Sequence, residues 1–313
     1  MSGMAVTRSD WANTLALLGA CLLALACGWT RSGVVVRVAD TAGTGTAPVR
    51  SDDGVWVAPG PYQRIISLDP AIDDALAEMG LAPRLLAVSS WSYAHGSRAR
   101  LLQQVPHQLP PGAGLEDLLA LHGDLVLVSG ASDPLRSAHL RAAGMTVFDC
   151  GTERTAADAA QALRQVAALL GQALLGEQLA SRFLSRLERV RDPSLPQLSA
   201  CYVAIYGGEL LGGTTGTTYH DLLVAASLDD AAARRGWRDW PTYHQEDLVT
   251  MAPQVIVTVT GMGATLRALP GAARIPALAA DRIIEVDGDL LAQTGIGELE
   301  AAEAVAAARR RLP

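Results

Sequence analysis

The sequence predicts an α/β protein of two lobes joined by a single long helix, and three observations carry that expectation. From Arg64 onward, short apolar runs alternate with segments of helical spacing, the pattern of a parallel sheet covered by helices. From about Thr155 to Arg191 apolar residues recur at helical spacing, with no proline until Pro193. After Pro193 and Pro196 a second alternation of strands and helices begins. The chain has 313 residues, 50% hydrophobic and 18% charged. That is enough apolar material for two cores, and at ~100–200 residues per domain two lobes is the natural division.

The N-terminus reads as an export signal over residues 1–26. Arg8 gives a weak positive start, and Leu15 to Ala26 is apolar and uncharged, short of the ~20 residues a membrane span needs. Ala24-Leu25-Ala26 offers a cleavage site. Leu18-Gly19-Ala20-Cys21 resembles a bacterial lipobox, and Ala24-Leu25-Ala26-Cys27 a poorer one, so the exported chain is either free or lipid-anchored through Cys21 or Cys27. Residues 27–62, with Gly, Thr, Pro and Ser and no sustained period, read as a flexible linker.

The first lobe is expected over 63–152. Arg64 to Leu68 is a buried-strand pattern; Asp69 caps a helix that opens at Pro70 and runs to Met79, with Gly80 as its stop. Strands Leu85–Ser89, Asp124–Val128 and Thr146–Phe148 alternate with helices near Leu115–Leu121 and Leu135–Ala143. Residues 153–192 are expected as one helix. About 35 residues at 1.5 Å each would span ~50 Å, longer than a lobe is wide, so the helix should bridge two lobes. Gly171 and Gly176 weaken it by only ~1 kcal/mol each. The second lobe, 193–313, has strands Cys201–Tyr206, Val255–Thr260 and Arg282–Val286, and helices Tyr219–Ser227, Glu246–Met251 and Glu298–Leu312.

An internal echo links the lobes. Glu116 to Val128 aligns without gaps on Glu246 to Thr258, each an acidic helix start, an apolar face, a break and a buried strand. A generic αβ unit explains part of this; the identical Glu-Asp-Leu start suggests equivalent roles. Of the four cysteines, Cys150 and Cys201 fall in the folded part. One ends a strand and the other begins one with a long helix between, so they are expected beyond the ~7 Å reach of a disulfide, as two buried free thiols.

Charge excludes one class. The net charge is −7 and the sequence contains no lysine, leaving scattered arginines without the basic face that nucleic acids require.

Taken in order, Arg64-Ile65-Ile66-Ser67-Leu68-Asp69-Pro70, Leu86-Ala87-Val88-Ser89-Ser90, Gly114-Leu115-Glu116 before Gly123-Asp124-Leu125-Val126, and Ala252-Pro253-Gln254-Val255-Ile256-Val257 resemble the class III periplasmic solute-binding proteins of ABC importers. That family serves the uptake of cobalamin, ferric siderophores and haem. The resemblance runs from Arg64 to about Leu312. It implies two Rossmann-like α/β lobes joined by one rigid helix, a ligand cleft between them, and only slight closure on binding. It also implies a monomer with no cofactor, whose cargo is a metal chelate. In the family one Glu on each lobe docks with arginines of the permease dimer, and Glu116 and Glu246 fall on the matching positions; helix first-turn acids are the plainer role for such residues.

Aromatics are few, 6 Trp, 6 Tyr and 2 Phe, so their placement is informative. Trp91, Tyr93, Tyr219, Trp237, Trp240 and Tyr243 all fall on expected loops at the cleft edge, where α/β sheets bind ligands. Trp and Tyr suit a large, flat, part-apolar ligand, although ordinary packing would use them too. Trp240-Pro241 matches a corrin-facing Trp-Pro in the cobalamin-binding member of the family. Thr217 belongs to a Gly/Thr-rich stretch, Glu209 to Thr218, expected as a ligand-facing loop; it lacks the Lys of a P-loop. His95, His220 and His244 sit in the same loops and are candidates for a bare metal ion, with Asp69 or Asp289 as a carboxylate partner, or for axial ligation of a chelated metal. Arg234, Arg235 and Arg238 are the main local cations, too few for a strongly anionic siderophore, which leans the reading towards a neutral or weakly charged chelate. Direct Zn or Mn capture by the same architecture is the alternative, and an exported hydrolase a weaker one, because neither G-x-S-x-G nor H-E-x-x-H occurs.

Overall fold

Strands buried along their whole length, rather than on alternate residues, mark a parallel sheet covered on both faces, and Ile65–Ser67 and Leu125–Val128 are buried at every position. The structure is a computed structural model that describes residues 47–110, 112–129 and 134–312, with Val35–Val36 as backbone. All of these but Val35 belong to the compact unit Val36–Pro313. The expected export signal, with Cys21 and Cys27, lies outside the described residues.

The first lobe's five strands lie in the order His107–Leu109, Leu85–Ser89, Ile65–Ser67, Leu125–Val128, Val147–Asp149, all parallel. Strand order reverses between Ile65–Ser67 and Leu125–Val128, so the crevice for a ligand opens at their carboxyl ends. Asp69 stands there. Its side chain caps the helix Pro70–Glu78 by accepting from the Ala71 N–H at 2.9 Å, and Pro70 is the first helical residue.

The expected linker ends early. Val49–Arg50 pairs antiparallel with Trp56–Val57, and Val57 and Tyr62 join the first core. Ser51 Oγ accepts from the Asp149 N–H at 2.7 Å, and the Gly60 N–H donates to Leu169 O at 3.0 Å. Residues 47–62 are thus stitched to the first lobe by backbone pairing.

The second correction concerns the long helix. It is two helices, Ala156–Leu169 and Ala173–Val190, broken at Gly171, whose φ is +72°. They pack on each other: a Cβ on Gly176 would lie 2.3 Å from the Ala167 Cβ, so glycine permits the close approach. Both helices contribute to the first core, and of their apolar side chains Leu187 and Val190, at the end of the second, also pack on the second lobe's core. The connector between lobes is therefore an 18-residue helix, ~27 Å long. The C-terminal helix Glu298–Arg309 straddles the same boundary, with Leu299 in the first core and Ala302 and Val305 in the second. Arg186 and Glu303 tie it to the connector at 3.0 Å.

The second lobe's sheet runs Thr242–Tyr243, Glu209–Gly213, Leu198–Tyr206, Val255–Val259, Ile283–Val286, and Leu228–Asp230 pairs with the start of Leu198–Tyr206. Glu209–Gly213 is a strand, not the expected loop. It returns antiparallel through a two-residue turn at Gly207 and Gly208, with φ of +60° and +86°, the geometry that favours glycine in tight hairpins. Cys150 and Cys201 are free and buried; burial pushes both thiols up, so they stay protonated and unreactive.

Candidate functional site

Two buried carboxylates hold the first-lobe segment that carries Trp91, Tyr93 and His95. Asp73 accepts from the Ser89 N–H at 2.9 Å and from Ser92 Oγ at 2.7 Å. Asp74 accepts from Ser97 Oγ at 2.6 Å and from the N–H groups of Ser97 and Arg98 at 3.0 and 3.1 Å. These bonds fasten Ser90–His95, a short helix where the sequence suggests a loop, to the helix Pro70–Glu78. Trp91 and Tyr93 on it are half-buried, and the exposed His95 ring lies 6.0 Å from the Trp91 ring.

On the second lobe, glycines make room for tyrosines. A Cβ on Gly213 would fall 2.2 Å from Tyr219 Cδ2, and one on Gly212 2.3 Å from Tyr243 Cζ. The Tyr219 ring stacks on Tyr202 with centroids 3.7 Å apart at 9°. Tyr243 stacks on Trp237 at 5.0 Å. Tyr243 is 2% exposed and Thr217 fully buried, its hydroxyl donating to Thr214 O at 2.7 Å. Both are therefore packing residues, a correction to their expected ligand-facing role. Trp237 is half-buried, and Trp240 is 52% exposed.

Side-chain contacts join the lobes at several places, among them Arg98 on Glu300 at 2.8 Å. Arg154, beyond the last strand of the first lobe, bonds Asp239 and lies over the Trp240 ring, 4.7 Å from its centroid. His95 Nδ1 lies 2.7 Å from Asp289 Oδ2, and Gln293 Nε2 donates to His95 O at 2.8 Å. A further link starts at the helix Ala156–Leu169, where the Ala156 N–H donates to Asp221 at 2.8 Å. The three candidate histidines do not converge: His95 faces Asp289, His220 bonds Asp230 at 2.9 Å, and His244 is exposed beside the Glu246 helix. Among the described residues no group of three His, Cys, Asp or Glu could hold a metal ion.

Carboxyl groups dominate the junction. Asp69 and Glu153 lie within hydrogen-bonding reach of each other, and each keeps one buried oxygen without another partner among the described residues. Burial raises Asp69 to about 6 and Glu153 well above its ordinary value. Glu298 is fully buried with neither oxygen bonded among the described residues, and burial likewise pushes it up, with Asp221 adding to the rise. Such pairs avoid carrying two charges by sharing a proton.

Residues 65–290 match the family described as periplasmic binding protein. The chain belongs to that family. A vitamin B12-binding protein of Vibrio campbellii is 24% identical over 200 residues, 64% of this chain and 71% of that one. Among solved structures, a possible iron-binding periplasmic protein of Staphylococcus epidermidis superposes with a TM-score of 0.70 at 16% identity, covering 80% of this chain and 99% of that one. A periplasmic heme-binding protein of Roseiflexus sp. RS-1 gives a TM-score of 0.65 at 23% identity, with 79% and 99% covered. These two likenesses establish a shared fold.

In this periplasmic binding protein the repeated Glu-Asp-Leu has a clear division of labour. Asp117 and Asp247 cap their own helices, accepting from the Gly114 N–H at 3.0 Å and the His244 N–H at 2.8 Å. Glu116 and Glu246 sit one residue earlier, in the first turns of Leu115–Ala120 and Gln245–Met251, both exposed. The same local physics places both on the surface.

Sequence reasoning missed Tyr206 and Arg154. Tyr206 is 57% exposed at the carboxyl end of Leu198–Tyr206, on the same strand face as Tyr202 by the two-residue period. The Tyr-x-x-x-Tyr-Gly-Gly run was the available signal. Arg154 had none, because Asp239 is 85 residues away.

Proposed function

We propose that the protein captures a bulky metal chelate in the inter-lobe cleft and delivers it to the permease dimer of an ABC importer. One observation carries this reading: Trp240, half-exposed on the second lobe, stands at the seam with the first lobe, under Arg154. Trp91 and Tyr93 on one lobe and Tyr219, Trp237 and Trp240 on the other offer apolar faces of the kind that grip a flat macrocycle. Family membership and the named relatives support the class of cargo, spanning vitamin B12, heme and iron.

Electrostatics narrows the choice. Where the lobes meet, Arg154 and His95 each already face a carboxylate, Asp239 and Asp289, and burial makes Asp69, Glu153 and Glu298 hold their protons more tightly than ordinary carboxyls. A polyanionic chelate would find no uncommitted cation among these groups, whereas a neutral chelate rich in amide donors would find acceptors. The scattered histidines give the bare Zn or Mn reading no supporting geometry.

Glu116 and Glu246 serve, in this reading, as two anionic anchors for permease arginines, since carboxylates on fixed helix ends suit bidentate guanidinium groups. Cys21 or Cys27 would carry a lipid if the exported form is anchored, a role supported by the sequence alone. The deciding experiment is titration of the mature protein's tryptophan fluorescence with cobalamin, haem and ferric siderophores. Saturable quenching by a neutral corrinoid, lost in Trp240→Ala, is expected; silence towards all of them would overturn the proposal.

A further inference from the structure

A recess of about 450 Å³ lies on the second lobe, between the segment that follows the connector helix and the edge strand Leu228–Asp230. Nothing from the inter-lobe seam lines it: Arg154, Trp240, His95 and Asp289 are all absent from its wall. It holds both charge and apolar surface. Arg191 and His220 stand on its wall with Leu195, Val224 and Leu228.

Each of its acids already accepts from a neighbouring donor, and one of them is buried. Asp230 is 3% exposed, and its two oxygens accept from Thr214 Oγ1 at 2.7 Å, His220 Nδ1 at 2.9 Å, and the Ala232 and Ala233 N–H groups at 3.0 Å each. Asp229 pairs with Arg234 at 3.0 Å. Asp192 accepts from Ser194 N–H and Oγ at 3.0 and 2.6 Å. Arg191, by contrast, has no side-chain bond or ion pair among the described residues. The Asp230 contact occupies His220 Nδ1 and holds the ring's charge up, leaving its Nε2 as a second donor.

We propose that this recess is a binding site for a small organic anion, a carboxylate with a short apolar body, separate from the cleft. The carboxylate would take the forked donors of Arg191 and the His220 Nε2–H, and the body would cover Val224 and Leu195. Val224 is 39% exposed, an apolar wall that otherwise faces water.

Isothermal titration calorimetry of the full mature chain tests this with benzoate, inorganic phosphate and benzylamine as probes. Benzoate is expected to saturate below about 10 mM, as fragment-sized ligands do, and benzylamine to give no heat. Arg191→Gln should weaken benzoate about tenfold, the worth of one charge-assisted contact. Val224→Asp, at a partly exposed position, should abolish it while circular dichroism stays native. Trp240→Ala should leave it unchanged, which separates this site from the cleft whatever the cleft binds. Equal binding of phosphate and benzoate, equal binding of benzoate by Arg191→Gln and wild type, or no saturation at all would overturn the proposal.

Discussion

The guanidinium of Arg154, from the first lobe, lies 4.7 Å above the indole of Trp240, from the second, while bonding Asp239 beside it. A cation over an indole contributes ~0.5–1 kcal/mol at an exposed site, and an exposed ion pair about as much or less. Together they bias the lobes towards contact by a factor of several, not by orders of magnitude. Arg154→Gln should therefore enlarge the radius of gyration in small-angle scattering and red-shift Trp240 emission, with no loss of secondary structure. Identical scattering curves for the two proteins would show that this contact holds nothing shut.

Docking through Glu116 and Glu246 predicts a separation of functions. Both side chains are exposed, and the neighbouring aspartates carry the helix caps, so reversing the glutamates leaves the fold intact. The double change Glu116→Arg, Glu246→Arg should cut uptake through the permease at least tenfold while ligand affinity, read by fluorescence, stays within twofold. Retained uptake would reject the assignment.

Asp69 gives a pH dependence whose sign follows from burial, which raises its pKa from 3.8 to about 6. Between those values the folded chain holds a proton that the unfolded chain has lost. The associated stability is complete below about pH 4 and fades as pH rises through 6. Asparagine caps a helix as well as aspartate does and carries no charge beside Glu153. Asp69→Asn should thus raise the melting temperature at pH 8 by several degrees, at roughly 2–4 °C per kcal/mol for a chain of this size, and change it little at about pH 3.5. Equal shifts at both pH values would mean that the burial of charge is not the cause.

The parallel strands were legible because they are apolar without interruption, and the start of the first helix because Asp69-Pro70 is a cap followed by a residue suited to the first turn. The connector was misread for a physical reason. Glycine costs a helix only ~1 kcal/mol, so Gly171 alone does not announce a reversal; what turns the chain is the packing of Gly176 on Ala167, which no periodicity displays. The site was legible in part. Aromatic residues near strand ends could be found, but local sequence does not separate Tyr243, packed on Trp237, from Trp240, open to solvent. Contacts such as Arg154 to Asp239 and His95 to Asp289 join segments 85 and 194 residues apart, and only the folded lobes bring them together.

Gly213 and Tyr219 form one packing unit beside the cleft, and their coupling is measurable. A methyl group on Gly213 would lie 2.2 Å from Tyr219 Cδ2 and 2.8 Å from its Cγ, too close for any rotamer that keeps the ring stacked 3.7 Å from Tyr202. Gly213→Ala should cost about 1–3 kcal/mol in urea unfolding, the usual range for an overpacked core. In a Tyr219→Ala background the ring is gone and the methyl has space, so the same change should cost well under 1 kcal/mol. The resulting coupling, about 1–2 kcal/mol in a double-mutant cycle, would identify the tyrosine ring as what the glycine accommodates. Strict additivity would place the strain elsewhere, in the strand pairing of Gly213 with Tyr202.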